Sequence, residues 1–253
     1  MTSFINAAAS HTHSLQTLNM LYEYDDFMES VRTVVDLGCG EGLDLEWWAT
    51  ATTRDEYPRA LNITCIGVDQ AEQLPLAKKY VNMSYQSADF ESEVYTPKKT
   101  KYDVLWCHDA FQYAINPIQT LSKWWNIANE NSMLVLIVPQ TTVMQRNQIS
   151  FYQHSGCYYH YSMVNLIQML AVTGWDCRAG FFKKNPTDNW LHAVVYRSNI
   201  APMDPKKTTW YDLVEKNLLP ESANSSVMSH GYLKQQDLIV PWLDHSLSIL
   251  GNQ

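Results

Sequence analysis

Three glycines lie two residues apart in the stretch VVDLGCGEGLDLEWW, which spans residues 34–48. Gly38, Gly40 and Gly42 follow an apolar run and precede a helix-like segment. Glycine carries no side chain, so a loop of this composition lets a ligand lie directly against the backbone. In an open α/β sheet, ligands bind at the carboxyl ends of the strands, where such a loop follows the first strand. The spacing therefore predicts a ligand site around residues 36–42.

The carboxylate of Glu41, inside this loop, narrows the class of ligand. A dinucleotide fingerprint has the form GxGxxG and holds a pyrophosphate at the helix N-terminus. Here the third glycine comes one residue early, and a carboxylate would repel pyrophosphate while suiting an ammonium or a sulfonium. The loop therefore favours a positively charged ligand over NAD or FAD.

Polar residues also follow the next three apolar runs. Asp69, with Gln70 after it, ends the run ITCIGVD, and an acid at this point can accept both hydrogen bonds of a ribose diol. Such an acid is otherwise a helix cap. Asp89 and Phe90 follow the third run and are suited to the amino group and the face of an adenine. His108 ends the fourth run, WCH, and should reach the same edge of the sheet.

The elements that must position these residues are short β-branched or apolar runs separated by helix-length segments. Runs this continuous are typical of strands buried on both faces of a parallel sheet. Helices are predicted at 117–128 and 162–174, the latter with Ser162 as N-cap and Gly174 just past its end. The seven runs are 31–37, 63–69, 81–86, 102–107, 132–138, 176–182 and 191–197.

The last two runs are joined only by KKNPTDN, which is too short for a crossover helix, so they should pair as an antiparallel hairpin. The predicted fold class is α/β: a doubly wound, seven-stranded, mostly parallel sheet with a C-terminal antiparallel hairpin strand and helices on both faces. One amphipathic helix is predicted over residues 10–30, and two more near 208–219 and 232–250. The predicted units are an N-terminal helical cap (1–30), a ligand-binding domain (31–199) and a C-terminal helical extension (200–253).

The composition indicates which partners the protein can bind and in which compartment it acts. The chain has 253 residues and a formal net charge of −8, which argues against a nucleic-acid partner. Five cysteines form no CxxC pair, and their odd number fits a reducing compartment. The first residues lack the pattern of a signal peptide, and no apolar run is long enough to span a bilayer. We therefore expect a cytoplasmic protein that does not act in a membrane.

The ordered set DLGCGEG, GVDQ, SADF, YDVLWCHDAFQYAINP and MLVLIVP resembles the class I (Rossmann-like) S-adenosylmethionine-dependent methyltransferases, over residues 31–197. The resemblance implies S-adenosylmethionine as cofactor, S-adenosylhomocysteine as product, and a cofactor-binding role for residues 31–199. The turn NENS, predicted before the fifth strand, departs from the family because it lacks the usual glycine pair.

The resemblance also implies a role for each matching residue. Glycines 38, 40 and 42 lie against the methionine part, with Asp36 near its amino group and His108 facing it mainly through its backbone. Asp69 binds the ribose hydroxyls, and Asp89 with Phe90 binds the adenine. The implied cofactor-binding set is Asp36, Gly38, Cys39, Gly40, Gly42, Asp69, Gln70, Asp89, Phe90 and His108.

Missing motifs constrain the methyl acceptor. Enzymes of this family that methylate amino groups of nucleic acids carry D/N-P-P-aromatic after the fourth strand, where this chain reads CHDAF. Enzymes that methylate pyrimidine carbon commonly use a Pro-Cys nucleophile, and no Pro-Cys pair occurs. These absences favour an O or N atom of a small-molecule acceptor. The alternatives are a protein or nucleic-acid methyltransferase, a non-catalytic cofactor-binding partner subunit, and an aminopropyl transferase.

A Tyr- and His-rich stretch, SFYQHSGCYYHYS at 150–162, follows the fifth strand where this fold usually admits substrate. His154 and His160 are candidate general bases there, with His108 as a third candidate. The alternative is a Tyr-rich packing loop. No metal is expected, since Asp109 has no further carboxylate beside it in the sequence.

Overall fold

The computed structural model describes residues 13–70, 79–92, 101–140, 158–184 and 190–238. In these residues seven strands form one sheet in the order β3-β2-β1-β4-β5-β7-β6. The strands are β1 (Thr33–Leu37), β2 (Thr64–Asp69), β3 (Met83–Ser87), β4 (Tyr102–His108), β5 (Ala128–Pro139), β6 (Trp175–Lys184) and β7 (Trp190–Arg197).

The direction of the strands confirms the predicted fold class. Strands β1 to β5 pair in parallel, whereas β7 pairs antiparallel with both β5 and β6. Strand β7 is therefore the one that runs against the other six. In β4 and β7 most side chains are buried, as the continuous apolar runs predict for strands covered on both faces.

The described residues form seven α-helices, which cover both faces of the sheet. Ser162 accepts a hydrogen bond from the backbone of Asn165, and Gly174 has a φ of +86°, so both predicted helix-end signals are confirmed. The helices are α1 (residues 13–22), α2 (Asp25–Ser30), α3 (Leu43–Thr50), α4 (Pro117–Ile127), α5 (Met163–Val172), α6 (Trp210–Glu215) and α7 (Glu221–His230).

Alternate residues of each central strand enter two separate cores. On one face Val34, Trp106 and Val135 pack with Leu18 of α1 and Trp48 of α3. The opposite face packs against α4 and α5, and against buried residues of the C-terminal segment. The site described below lies on the α1–α3 face, at the carboxyl ends of the strands.

The single helix predicted over residues 10–30 is wrong, because the chain turns between α1 and α2. The backbone amides of Glu23 and Tyr24 bond to carbonyls three residues earlier, and Tyr24 has the non-helical angles φ −103° and ψ 84°. The turn lets both Leu21 and Met28 reach the core, where they are 1% and 2% exposed. Burial of two apolar side chains outweighs the continuous helical pattern of the sequence.

The C-terminal helices also differ from their predicted positions. Helix α6 is shorter than predicted, and helix α7 lies outside both predicted ranges. Pro220 and Gly231, which has a φ of +80°, bracket α7. Of the range 232–250, the described part contains only the 3-10 turn Gln235–Asp237.

The residues NENS, predicted as a turn, belong to β5, which begins directly after α4. Asn131 has a φ of +60°, and the register against β4 shifts at this point. Asparagine tolerates the left-handed conformation better than most residues, which suits it to this irregularity. Within the described residues, no helix combines the length and apolar character needed to cross a membrane.

Candidate active site

The glycine loop, residues 38–42, joins β1 to α3 in a conformation that only glycine adopts easily. Gly38 and Gly40 have φ angles of +84° and +51°. A Cβ added to Gly38 would lie 2.2 Å from the Cβ of Ala110, whereas one added to Gly40 would meet nothing within 4 Å. Gly38 is therefore required by packing, and Gly40 presents bare backbone to open space.

The end of β2 holds this loop in place. The carbonyl of Val68 accepts hydrogen bonds from the amides of Gly38 and Cys39, at 2.7 and 3.1 Å. The Asp69 carboxylate accepts a hydrogen bond from the amide of Gly40, from N to Oδ2, at 2.9 Å. The predicted neighbourhood of Asp69 and the glycine loop is thus present in the structure.

Asp89 and Phe90 lie in the turn after β3, beside the glycine loop. A ring carbon of Phe90 lies 3.8 Å from the position of a Cβ on Gly38. Glu91 fixes this turn because its carboxylate accepts hydrogen bonds from the amides of Ile115 and Asn116 at the start of α4. Burial raises the pKa of Glu91, but these bonds, with those from Thr120 and the charge of Lys123, outweigh it and lower the pKa.

Asp36, the second-last residue of β1, is a buried acid with 2% of its surface exposed. Burial, together with the nearby charges of Asp44 and Asp69, raises its pKa well above the usual range. A positive group placed among these three carboxyls would lower that pKa again. The edge of the sheet therefore has the electrostatic character that suits a cation.

Two members of the predicted cofactor set have less specific surroundings. The Cys39 thiol is buried, and burial followed by the charges of Asp36 and Asp69 raises its pKa, so it is held protonated. Gln70 is exposed at the end of β2. Cys39 therefore contributes backbone and volume rather than a reactive thiolate.

A buried hydrogen-bond network surrounds His108, the last residue of β4. Its Nδ1 lies 2.9 Å from Oδ2 of Asp44, which is in the first turn of α3. The same Oδ2 accepts a hydrogen bond from the Trp106 indole at 3.0 Å, and Oδ1 accepts one from the Ser14 hydroxyl at 2.5 Å. Asp44 and His108 are 7% and 9% exposed, so the network is largely buried.

Helix α1 covers this region through three hydrogen bonds and one ring stack, which we call the α1 contacts: Ser14 with Asp44, Gln16 with Lys183, Thr17 with His192, and His13 stacked on Trp190. Thr17 Oγ1 lies 2.8 Å from Nδ1 of His192, and the His13 ring stacks on Trp190 at 5.3 Å. The Trp190 ring also meets the edge of His108 at 5.8 Å. Burial, then the charges of Lys183, His108 and His13, lowers the pKa of His192 to about 3.

The three predicted bases have different surroundings. His108 lies in the buried network beside the glycine loop. His160 is exposed, and partial burial lowers the pKa of its ring. His154 lies outside the described residues. Among the described residues, no cluster of three or more His, Cys, Asp or Glu side chains could hold a metal ion.

Sequence reasoning missed Asp44, Ser14, Trp190 and His192. An acid in the first turn of a helix is an ordinary helix-start feature, so the sequence gives no sign that Asp44 is buried. His192 had one signal, because Trp190, His192 and Val194 alternate onto the same face of β7. A histidine within such an apolar stripe needs a polar partner, but the sequence does not say which.

The arrangement fits a cofactor with a positive charge and a nucleoside. Gly40 leaves space for close approach to the backbone, Asp36 is a buried acid, and Asp69 lies where a diol can be bound. His108 borders this region because β1 and β4 are adjacent, with Asp36 opposite Trp106. Two residues further on, the glycine loop and His108 leave the sheet at the same edge.

Comparison with known proteins agrees with this geometry. Residues 35–136 match the sequence model of a family described as a methyltransferase domain. No curated protein matches the sequence at a significant level.

Solved structures with the same fold include three described as methyltransferases. A protein from Listeria monocytogenes, described as an S-adenosylmethionine-dependent methyltransferase, is 17% identical, with a TM-score of 0.55 over 76% of this chain and 100% of its own. The plantazolicin methyltransferase BpumL, in complex with SAH, is 16% identical, with a TM-score of 0.54 over 78% of this chain and 90% of its own. The 1,6-didemethyltoxoflavin-N1-methyltransferase of Burkholderia thailandensis is 10% identical, with a TM-score of 0.51 over 78% of this chain and 87% of its own.

The family match, the order of the strands and the geometry of the glycine loop lead to one class. Residues 35–136 match a methyltransferase domain, and the fold is that of the class I, Rossmann-like methyltransferases that use S-adenosylmethionine.

Proposed function

We propose that the protein transfers the methyl group of S-adenosylmethionine to an O or N atom of a small-molecule acceptor. The observation that carries the acceptor class is the position of helix α1, which covers the face of the sheet beside His108 through the α1 contacts. A site closed by a helix suits a small molecule better than a polymer. The net charge of −8 also disfavours nucleic acid.

Different described residues bind different parts of the cofactor in this proposal. When bound, S-adenosylmethionine supplies a methyl group activated by a positive sulfonium. Asp36 pairs with its ammonium group, the glycine loop lies along its methionine part, and Asp69 accepts from the ribose hydroxyls. Asp89 and Phe90 take the adenine. The acids around Asp36 also favour a positively charged ligand over its neutral product, which promotes release after transfer.

The solved relatives support a small acceptor with a nitrogen atom as one option. The Burkholderia enzyme is described as acting at N1 of 1,6-didemethyltoxoflavin, and BpumL as acting on plantazolicin. At 10% and 16% identity these neighbours do not define the acceptor of this chain, so oxygen and nitrogen acceptors both belong to the proposal. A reducing, cytoplasmic setting is part of it too, since the four described cysteines are all buried free thiols.

Calorimetry with S-adenosylmethionine tests the cofactor roles. Asp69→Ala should weaken binding about tenfold or more, because hydrogen bonds to a charged group are worth about 1.5–3 kcal/mol. Asp55→Ala is the matched control, since it also removes a carboxylate, one that is 41% exposed and pairs with Arg59. Equal affinities of both variants and the wild type would contradict the proposed role of Asp69.

Transfer of labelled methyl groups to the fractions of a cell extract tests the acceptor class. Label in the small-metabolite fraction alone is the expected result. Label in protein or nucleic acid would refute the small-molecule acceptor. Cofactor binding without any transfer would instead favour a non-catalytic partner subunit.

A further inference from the structure

The hydrogen bonds around Asp44 define the protonation of the His108 ring. The Trp106 indole N–H can only donate, and it shares Oδ2 of Asp44 with Nδ1 of His108. Together with the Ser14 hydroxyl, these contacts satisfy Asp44 as a carboxylate, and the start of helix α3 favours its negative charge. An ionised carboxylate can only accept, so His108 donates to it from Nδ1.

A proton on Nδ1 leaves the lone pair of the neutral ring on Nε2. A carboxylate that fixes one ring nitrogen in this way sets the tautomer, orients the ring and leaves the other nitrogen as the acceptor. The ring lies at the carboxyl end of β4, where the adjacent strand β1 continues into the glycine loop. A base at this position is next to the backbone assigned to the methionine part of the cofactor.

Several charged or titratable groups face the His108 ring. Asp44 reaches it from α3, with Asp36 of β1 behind Asp44. His192 of β7 interacts electrostatically with His108, with His13 of α1 and with Lys183 of β6. Both acidic and basic groups therefore surround the ring.

From this geometry we infer that Asp44 and His108 form the proton-accepting pair of the reaction, with His108 as the base and Asp44 as its positioning residue. The inference rests on the proposed function and specifies it further: the acceptor atom carries an O–H or N–H proton that must leave. His108 Nε2 takes that proton as the acceptor atom bonds to the methyl carbon, and the carbon–sulfur bond breaks with its electron pair remaining on sulfur. The imidazolium then releases the proton to solvent.

Nitrogen-15 NMR of the histidine rings in the full-length, ligand-free protein tests the pair without any acceptor. The wild type should show His108 with its proton on Nδ1. Asp44→Asn should lose this preference, because the amide can donate to the ring as well as accept from it. Ser14→Ala is the matched control, since it removes a different donor to Asp44 and should keep the ring unchanged. A proton on Nε2 in the neutral wild-type ring would overturn the inference.

Methyl transfer to the small-metabolite fraction of a cell extract, measured against pH, tests the role in the reaction. His108→Gln should lower the rate about 100-fold or more, as expected for loss of a general base. It should also remove the acidic limb of the pH profile. Asp44→Asn should also slow transfer, because the amide no longer fixes the proton on Nδ1 of His108.

The outcomes separate this inference from the proposed function. Transfer by the wild type with an unchanged rate and pH profile in His108→Gln would overturn the base alone. Absence of transfer by the wild type would overturn the proposed function and the inference with it. A slow His108→Gln variant that keeps the acidic limb would reduce His108 to a structural role and so contradict the inference.

Discussion

The glycine loop and the α1 contacts meet at one edge of the sheet, yet they consist of different kinds of interaction. The glycine loop presents bare backbone to open space, and the hydrogen bond from Gly40 to Asp69 joins residues 29 positions apart. The α1 contacts are side-chain pairs, and the buried one between Thr17 and His192 joins residues 175 positions apart. The glycine loop can bind a ligand by its shape, whereas the α1 contacts influence the protonation of histidine side chains. A change in the glycine loop should therefore alter cofactor affinity, and a change in the α1 contacts should alter the pH dependence of the unfolding free energy.

The largest expected effect is that of Gly38→Ala. Its methyl group would overlap Ala110 and would occupy a left-handed conformation, which together should cost about 3 kcal/mol or more of unfolding free energy. Gly40→Ala meets no atom and should cost only about 1–2 kcal/mol, but it should abolish measurable cofactor binding. Denaturant titration and calorimetry measure the two quantities.

Gly231→Ala is the control for backbone strain, because Gly231 has a φ of +80° and a Cβ there would meet only Tyr211 at 3.5 Å. It should match Gly40→Ala in stability while keeping full cofactor affinity. Loss of affinity in both variants would show that strain alone, and not the open backbone, accounts for the Gly40 effect.

The second prediction concerns His192 on the α1 side. The folded protein keeps this ring neutral down to a pKa of about 3, whereas the unfolded chain takes up a proton below the ordinary value of 6.5. Unfolding free energy should therefore fall as pH falls from 6.5 toward 3, by up to about 1.4 kcal/mol per pH unit from this group. His192→Asn should remove that slope and leave cofactor affinity at neutral pH nearly unchanged. A slope equal to that of the wild type would exclude His192 as its source.

A third change, Asp36→Asn, should separate stability from binding. The folded protein holds the proton of Asp36 to higher pH than the unfolded chain, so unfolding free energy from this group falls as pH rises above its ordinary value of 3.8. The variant should therefore be more stable than the wild type at neutral pH, by about 1 kcal/mol or more, and bind the cofactor more weakly. Calorimetry in buffers of different ionisation enthalpy should detect protons released on binding by the wild type alone.

Glu91→Gln should have the smallest effect. The amide accepts the hydrogen bonds from Ile115 and Asn116 less strongly than the carboxylate does, which should cost about 1 kcal/mol. Because the pKa of Glu91 is lowered on folding, its contribution is present above its ordinary value of 4.5 and is lost as pH falls through the lowered pKa. A cofactor affinity more than tenfold weaker would mean that this turn matters more to adenine binding than proposed.

Local patterns in the sequence predicted much of the fold and half of the site. Continuous apolar runs and the short link before β7 determine the strands and the hairpin, and the spacing of Gly38, Gly40 and Asp69 marks the ligand edge. These signals lie within single strand–loop units. The roles of the predicted cofactor residues remain predictions, because the structure places the side chains near one another without a ligand.

The network around His108 could not be predicted in the same way. It joins Ser14, Asp44, Trp106 and His108, which belong to three elements far apart in the chain. Each residue has an ordinary local explanation, and burial makes the group distinctive only after the sheet has formed. The break between α1 and α2 was missed for the same reason, because tertiary packing overrides a continuous helical pattern.

The position of β7 between β5 and β6 has a consequence for synthesis on the ribosome. Strand β5 keeps an open edge, and β6 has no partner in the sheet, until residues 190–197 have emerged. Helix α1 cannot complete its contacts before the same point, because His13 stacks on Trp190 and Thr17 contacts His192 of that strand. The nascent chain therefore exposes an unpaired strand edge between the synthesis of β5 and that of β7, a state that favours chaperone binding and penalises pauses before residue 190.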